Sequence, residues 1–370
     1  AGGVSVLYWR FFLLRRDRGP DAAMGCSESK ARMDDDSRQP VNEGAAGDDD
    51  AASCAASSLG SDFEEEPPTT PPPPRTYRAS TMLLGKGGSA VVYAGVCEQD
   101  LTPVAIKRVH VKDDSVRRAL EREYATLEAL PDHNCVVKVF HFEASGDVGI
   151  IVLELVKGGT LRRLCRAAPQ RRLHERSIRV YMRDCLLGLA HLHAHSVVHR
   201  DLKSDNLLVV RQVDPHNEAS SDDQTATPFV KITDFGSCKD ALHGGVCQTT
   251  VNVVGTVPYM SPEAVRGKFS NASDIWAFAI TFLELATPRQ AVWKHLEVTE
   301  TFALLLRIGA LRPPTHMPPF PPWLSPEACD VLRDCLVFDW SARPTCEELL
   351  SRPYFADLAW EPAGMEPLED

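Results

Sequence analysis

The segment Val197-Val198-His199-Arg200-Asp201-Leu202-Lys203-Ser204-Asp205-Asn206-Leu207-Leu208 carries an acid, a base two residues on and a carboxamide five residues on. Placed just after a long helical pattern, these three side chains can face one reaction centre. Asp201 can orient a hydroxyl and accept its proton, and Asn206 can offer oxygen to Mg²⁺. Further along, Val230-Lys231-Ile232-Thr233-Asp234-Phe235-Gly236 supplies Asp234, a second oxygen ligand for a hard cation. Either segment alone could be an ordinary turn; the two together point to chemistry on a charged, cation-bound group.

Two earlier segments fit the same centre. Leu84-Gly85-Lys86-Gly87-Gly88-Ser89-Ala90-Val91-Val92 is glycine-rich and lies between two strand patterns. Glycines let backbone N–H groups approach phosphate oxygens with no Cβ in the way; a plain hairpin is the competing reading. A strand follows the loop where a dinucleotide fingerprint has a helix, and the Gly-Lys-Ser/Thr ending of a Walker A loop is missing. Twenty-two residues after Gly85, Val104-Ala105-Ile106-Lys107 ends an apolar strand on a lysine. Burying that charge requires compensation, which a phosphate and a carboxylate can provide; a lysine snorkelling to the surface is the alternative. Of Glu121 and Glu123 in the next helical pattern, Glu123 has Leu127 and Leu130 on its own face and points inward.

The elements that must position these groups are legible from periodicity. Ala90–Val96, Val104–Val111, Val136–Phe142 and Gly149–Leu155 read as strands, interrupted by a helix over Ser115–Leu130. After Gly159 the pattern turns helical: Ser177–Ala194 aligns Ile178, Tyr181, Met182, Cys185, Leu186, Leu189 and Leu192, and Thr281–Ala286, Thr299–Ile308 and Pro326–Leu336 come after it. The domain plan is therefore a small β-rich lobe, 77–155, and a larger helical lobe, 156–355, with a polar excursion over 211–228 between two short strands. Asp113-Asp114 reads as a helix cap. His191, His193 and His195 end a helix, and their spacing alone makes a poor metal site.

Charge is unevenly distributed. Of 370 residues, 40 are Lys or Arg and 51 are Asp or Glu, a net of −11. Residues 1–23 carry four basic and two acidic residues, 24–76 four and twelve, and 356–370 none and five, which leaves 32 of each in 77–355. The acidity belongs to two flanking tails, 24–76 (with its proline run, 71–74) and 356–370. This balance argues against nucleic-acid binding. Eleven scattered cysteines without a CxxC pair suit a reducing compartment, and no apolar run is long enough to cross a membrane. A cytoplasmic location is expected.

In their order and spacing these motifs resemble the eukaryotic protein kinases over about 77–355. The resemblance implies an α+β, bilobal protein kinase fold: a small β-rich N-lobe with one key helix and a larger α-helical C-lobe. It implies ATP and Mg²⁺ as cofactors. Leu84, Gly85, Lys86, Gly87 and Gly88 would cover the phosphates, and Lys107 would hold them while paired with Glu123. Asp201 would be the catalytic base and Lys203 would contact the γ-phosphate, with Asn206 and Asp234 on the metal. Leu153 would be the gatekeeper, Glu154 and Val156 the hinge contacts, and Val92, Ala105 and Leu208 the adenine sandwich. Gly255-Thr256, with Lys203, resembles Ser/Thr kinases, and Thr256 would touch Asp201 and Lys203. Ser261-Pro262-Glu263, Ser273-Asp274-Ile275-Trp276 and Arg343-Pro344 match later landmarks, Glu263 and Arg343 forming a buried ion pair. The C-terminal pattern resembles the STE group, especially MAP-kinase-kinase-kinase-like enzymes, whose substrates would be proteins, including a downstream protein kinase. The rival readings are a catalytically silent pseudokinase scaffold and a small-molecule kinase; the intact Lys107, Asp201, Asn206 and Asp234 argue against the first, and the Gly255-Thr256 loop against the second.

Two modifications are expected as well. Arg200 beside Asp201 would stay unpaired until a phosphate arrives on Thr249 or Thr250. Met24-Gly25-Cys26-Ser27-Glu28-Ser29 fits the N-myristoylation pattern if translation starts at Met24, which would make 1–23 an untranslated leader. One acyl chain holds a membrane only marginally, so Cys26 would carry a second. Peripheral membrane attachment would result.

Overall fold

The computed structural model describes residues 74–87, 90–210, 228–240, 246–248, 255–288, 292–311 and 317–356. The tails, Gly88, the stretch 211–227, Thr249, Thr250, Gly25 and Cys26 lie outside the described residues.

The N-terminal lobe is one antiparallel sheet. Its strands are β1 (Tyr77–Lys86), β2 (Ala90–Cys97), β3 (Pro103–His110), β4 (Val139–Ser145) and β5 (Val148–Glu154), ordered β1-β2-β3-β5-β4. Register decides which side chains share a face. Val92 lies opposite Lys107, Lys107 opposite Ile151, and Ala105 opposite Leu153. Directly opposed residues point to the same side of a sheet. So Val92, Ala105, Lys107, Ile151 and Leu153 share one face. Helix α1 (Asp114–Ala129) packs on β4 and β5. Asp113 caps it by accepting the N–H groups of Ser115 and Val116, and Leu120, Glu123 and Leu127 form its buried stripe.

The C-terminal lobe is built around α2 (Leu161–Ala167), α3 (Glu175–Ala194), α4 (Pro262–Val265), α5 (Asn271–Ala286), α6 (Thr301–Gly309), α7 (Pro326–Cys335), α8 (Cys346–Leu350) and α9 (Pro353–Ala356). Short strand pairs decorate it: β6 (Val197–Val198) with β9 (Lys239–Asp240), β7 (Leu207–Val210) with β8 (Phe229–Ile232), and β10 (Val246–Gln248) with β11 (Lys268–Ser270). Leu207 pairs with Ile232 and Val210 with Phe229. The segments bearing Asn206 and Asp234 are thus held side by side from beneath, whatever the length of the connection between β7 and β8.

Three elements differ from the periodicity reading. The strand expected over Val136–Phe142 starts at Val139, because Val136 and Val137 instead pair with Ile232 of β8, 3.0 Å from the Val137 N–H to the Ile232 carbonyl. The helix expected over Thr281–Ala286 begins ten residues earlier, at Asn271. Every residue from Ser273 to Ala286 is buried, so α5 has no polar face to mark its period. The bounds of strand β1, expected ahead of the glycine-rich loop, were not marked by periodicity for the opposite reason. It is an edge strand, mostly exposed along its length, with Met82 and Leu83 facing out.

Candidate active site

Lys107 is the junction of three distant segments. Its Nζ donates to Glu123 Oε1 at 2.6 Å and to Asp234 Oδ1 at 3.1 Å. Burial pulls the Lys107 amine down, but the two carboxylates outweigh it and hold the amine above its ordinary value. Burial pushes the Glu123 carboxyl up against the opposing pull of Lys107. Asp234 resists the upward push of burial and stays below the usual carboxylate range because of Lys107. A Cβ on Gly236 would lie 3.3 Å from Glu123 Oε2, so the glycine after Phe235 admits the α1 carboxylate into the site. Phe235 is buried edge-on to His199. Asp234 itself has φ of 67°, a left-handed conformation that a non-glycine residue holds only when its surroundings enforce it.

A second cluster surrounds Asp201. Lys203 Nζ donates to Asp201 Oδ2 at 2.5 Å, and the Thr256 hydroxyl donates to Asp201 Oδ1 at 2.7 Å. Lys203 also donates to Thr256 Oγ1 at 2.7 Å. The Asn206 amide donates to the Asp201 carbonyl at 2.8 Å, which fixes which end of the carboxamide carries the free oxygen. The expected contacts of Thr256 with Asp201 and Lys203 are therefore present. The tight turn at Gly255 has φ of 106°, and a Cβ there would sit 2.7 Å from the Arg200 carbonyl.

What holds this loop is the buried carboxylate of Asp274 on α5. It accepts the His199 N–H, the Arg200 N–H and His193 Nε2, each at 2.9 Å. Burial would raise its pKa, but His193 and these donors hold it below the ordinary value. The sequence placed Asp274 in a landmark without a role. Its spacing of 75 residues from His199 carries no local signal. His193, taken with His191 and His195 as a weak metal pattern, has this structural duty. His191 stacks on His133 and meets the His195 ring at a tilt, with ring centroids 4.6 Å from each. Among the described residues no group of three His, Cys, Asp or Glu is arranged to hold a metal.

The remaining expected residues fall around the same cleft. Ala105 and Leu153 are buried, and Val92, Val156 and Leu208 pack half-buried against the same core. Leu84 and Lys86 end β1 in exposed positions. Gly87 donates its N–H to the Ala90 carbonyl at 2.8 Å, closing the loop. A Cβ on Gly85 would meet nothing, and one on Gly87 only Ala90 O at 3.8 Å. Among the described residues no neighbour demands glycine at either position, and the space beside both is open. Glu154 turns its carboxylate away, onto Lys231 at 2.8 Å, and its N–H goes to the Lys138 carbonyl. Its own carbonyl is what it can present to the cleft. Glu263 and Arg343 form the expected buried pair, bidentate at 2.6 and 2.9 Å.

One expectation is corrected. Arg200 does not wait as an isolated charge: its guanidinium lies over the Phe269 ring, 4.6 Å from the centroid. An aromatic face on β11 meets the cation that local sequence left without a partner.

A family model described as the protein kinase domain matches residues 78–355. Similar curated proteins include mitogen-activated protein kinase kinase kinase nsy-1 of Caenorhabditis elegans, 30% identical over 283 residues, which is 74% of this chain and 17% of that protein. Human mitogen-activated protein kinase kinase kinase 6 is 32% identical over 284 residues, 75% of this chain and 20% of its own length. Mitogen-activated protein kinase kinase kinase 3 of Arabidopsis thaliana is 32% identical over 278 residues, 73% of this chain and 41% of that protein. The chain thus spans a fifth or less of the first two relatives and under half of the third.

Proposed function

The chain belongs to the protein kinase domain family, and on that premise we propose that it is a Ser/Thr protein kinase that transfers the γ-phosphate of ATP to protein hydroxyls. The observation that carries the proposal is the complete Lys107–Glu123–Asp234 junction beside the Asp201–Lys203–Thr256 cluster. A silent scaffold would be expected to lack one of these polar groups, and none is missing.

The residues fit a nucleotide and a hard divalent cation. The inner sheet face offers Val92, Ala105 and Leu153 to an adenine ring from above, with Leu208 from below, and the Glu154 carbonyl and Val156 as hinge contacts. The glycines at 85 and 87 leave space where a Cβ would stand. Asn206, through the oxygen its amide anchor leaves open, and Asp234 are the oxygen ligands for Mg²⁺. Bound there, the cation would neutralise phosphate charge.

The chain's own groups then have defined work. Asp201 orients the incoming hydroxyl and takes its proton at the carboxylate. Lys203 places a positive charge where charge develops on the transferred group, and Lys107, kept protonated by two carboxylates, does the same for the other phosphates. Thr256 fixes the Asp201 carboxylate from the substrate side. The relatives' names place them in MAP-kinase cascades, and we extend that to this chain: its substrate class is proteins, among them a downstream protein kinase. Phosphate on Thr249 or Thr250 would draw Arg200 from its seat over Phe269 and activate the enzyme. Full activity of the Thr249→Ala/Thr250→Ala variant would overturn that step.

Transfer of labelled phosphate from ATP to a peptide library tests the main proposal. Incorporation into Ser and Thr peptides, lost in Asp201→Asn, is expected; equal incorporation by Asp201→Asn would refute it. We also propose acylation at Gly25 and Cys26. Membrane fractionation of a Met24-start chain, with Gly25→Ala as control, tests it, and a soluble Met24-start chain ends it. No helix among the described residues is long and apolar enough to cross a membrane.

A further inference from the structure

Arg162 ties three segments together beside the catalytic loop. It stands on α2, whose buried residues are Leu161 and Cys165. Its Nη1 donates to Asp205 Oδ2 at 3.0 Å and to the Tyr259 hydroxyl oxygen at 3.3 Å, and lies 3.4 Å from Glu284 Oε1. Tyr259 in turn donates its hydroxyl proton to Glu284 Oε2 at 2.8 Å. The two acids differ in access. Glu284, on α5, has 3% of its side chain exposed, and Asp205 has 44%. Burial pushes the Glu284 carboxyl up, while its hydrogen bonds and Arg162 pull against that push. Burial also pulls the Arg162 guanidinium down, but Tyr259, Asp205 and Glu284 outweigh it and hold the group above its ordinary value.

The place of this cluster gives it a bearing on substrate. Asp205 comes four residues after Asp201, which caps the distance between their Cα atoms at about 15 Å. Tyr259 comes three residues after Thr256, whose hydroxyl donates to Asp201 Oδ1 at 2.7 Å. A peptide that sets a hydroxyl on Asp201 therefore brings side chains about four residues or fewer from that hydroxyl within reach of Asp205. An exposed carboxylate, a buried one and a phenol oxygen, all turned toward one point, make a receptor for a guanidinium. The chain fills that receptor with its own, so a basic substrate side chain would meet a like charge where it would otherwise bind.

We propose that Arg162 is a specificity-determining residue: it occupies an arginine receptor built from Asp205, Tyr259 and Glu284, and so keeps the enzyme from selecting protein substrates by a basic residue near the acceptor hydroxyl. The inference rests on the protein-kinase reading. Truncating Arg162 opens the receptor to an arginine of the substrate, whose planar fork fits paired carboxylates better than a lysine does. Neutralising Asp205 has the opposite effect, because Arg162 then loses its exposed partner and can meet an acidic side chain. A residue that only clamped the loop would, when removed, slow transfer to every peptide alike and leave the choice among peptides unchanged.

The test uses the full chain and a peptide library in which the residue at each of about four positions on either side of the acceptor is varied in turn. Labelled phosphate from ATP is the readout. The native chain should show no preference for Arg or Lys at these positions. Arg162→Ala should gain about a tenfold preference for Arg at one of them, with Lys weaker. Asp205→Asn changes an exposed side chain and spares the fold; it should gain about a threefold preference for Asp or Glu. A basic preference already present in the native chain, or variant profiles that match the native one, overturns the inference and leaves the kinase reading standing. So does an Arg162→Ala chain slowed equally on all peptides. If Arg162→Ala fails to fold, the Asp205→Asn profile decides. No transfer to any peptide by the native chain refutes the kinase reading and takes this inference with it.

Discussion

The backbone N–H of Arg200 donates to the Asp274 carboxylate at 2.9 Å across a separation of 74 residues, and by this bond helix α5 sets the position of the loop that carries Asp201. The same carboxylate takes the neighbouring N–H of His199, so one side chain governs two consecutive peptide groups. Asp274→Ala would strand both donors in a buried site. A loss of about 2–5 kcal/mol in denaturant unfolding is expected, from about 1–3 kcal/mol for each unsatisfied group. The kcat should fall at least about tenfold with a smaller change in the KM for ATP, since positioning rather than nucleotide contact is lost. Because the Asp274 pKa is depressed in the folded chain, its contribution is present above the ordinary carboxylate range and is lost as pH falls below it.

Lys107→Met removes the positive end of a buried pair and leaves Glu123 uncompensated. The expected cost is about 3–5 kcal/mol at neutral pH. With burial, and the nearby Asp234 charge, acting on it unopposed, the Glu123 carboxyl of the variant should have its pKa raised above the unfolded value. Stability relative to the native chain is then best at acid pH and declines as pH rises through that raised value. Phosphate transfer should fall by about a hundredfold or more. Thermal unfolding of both chains across a pH series, alongside the transfer assay, checks both parts.

Asp184 gives a pH dependence of its own. Burial on α3 pushes its carboxyl up to about 6, against the weaker opposing pull of the Val230 N–H and Arg183. A raised carboxyl pKa stabilises the fold below the unfolded value and loses that contribution as pH climbs through about 6. The loss amounts to about 3 kcal/mol at most by pH 7.5. Asp184→Asn, which keeps an oxygen for the Val230 N–H, should raise Tm by several degrees at pH 7.5 and leave it nearly unchanged at pH 4. A Tm lowered equally at both pH values would contradict this account.

Gly255→Ala should separate activity from folding. Its φ of 106° disfavours a side chain, and the added Cβ would meet the Arg200 carbonyl at 2.7 Å. Strain of about 1–3 kcal/mol is expected. It would be relieved by moving Thr256 off Asp201, so kcat should drop while far-ultraviolet circular dichroism stays native.

Much of the site was legible because its residues are close in sequence. Asp201, Lys203 and Asn206 lie within six positions, and Glu123 was separable from Glu121 by helical phase alone. Strand periodicity located Lys107 and Asp234. The duties of Asp274 and His193 were not legible, because a long-range hydrogen bond leaves no periodic trace. Neither was the start of α5, whose full burial removes the contrast that a period needs. The aromatic partner of Arg200 was not legible either, because Phe269 lies on a strand that only the folded lobe brings within reach.

The amino-acid sequence by itself determined the inventory: which acids, bases and glycines exist, which helical face each occupies, and that −11 of net charge resides outside a balanced 77–355. Those properties depend on residue type and local spacing, which the chain carries before it folds. Tertiary structure decided the pairing. It set Lys107 within 3.1 Å of Asp234 across a separation of 127 residues and put Asp274 under the Asp201 loop. It also brought the start of α9 against Arg179 of α3. Such contacts arise from sheet register and helix packing, which are properties of the whole core and of no single segment.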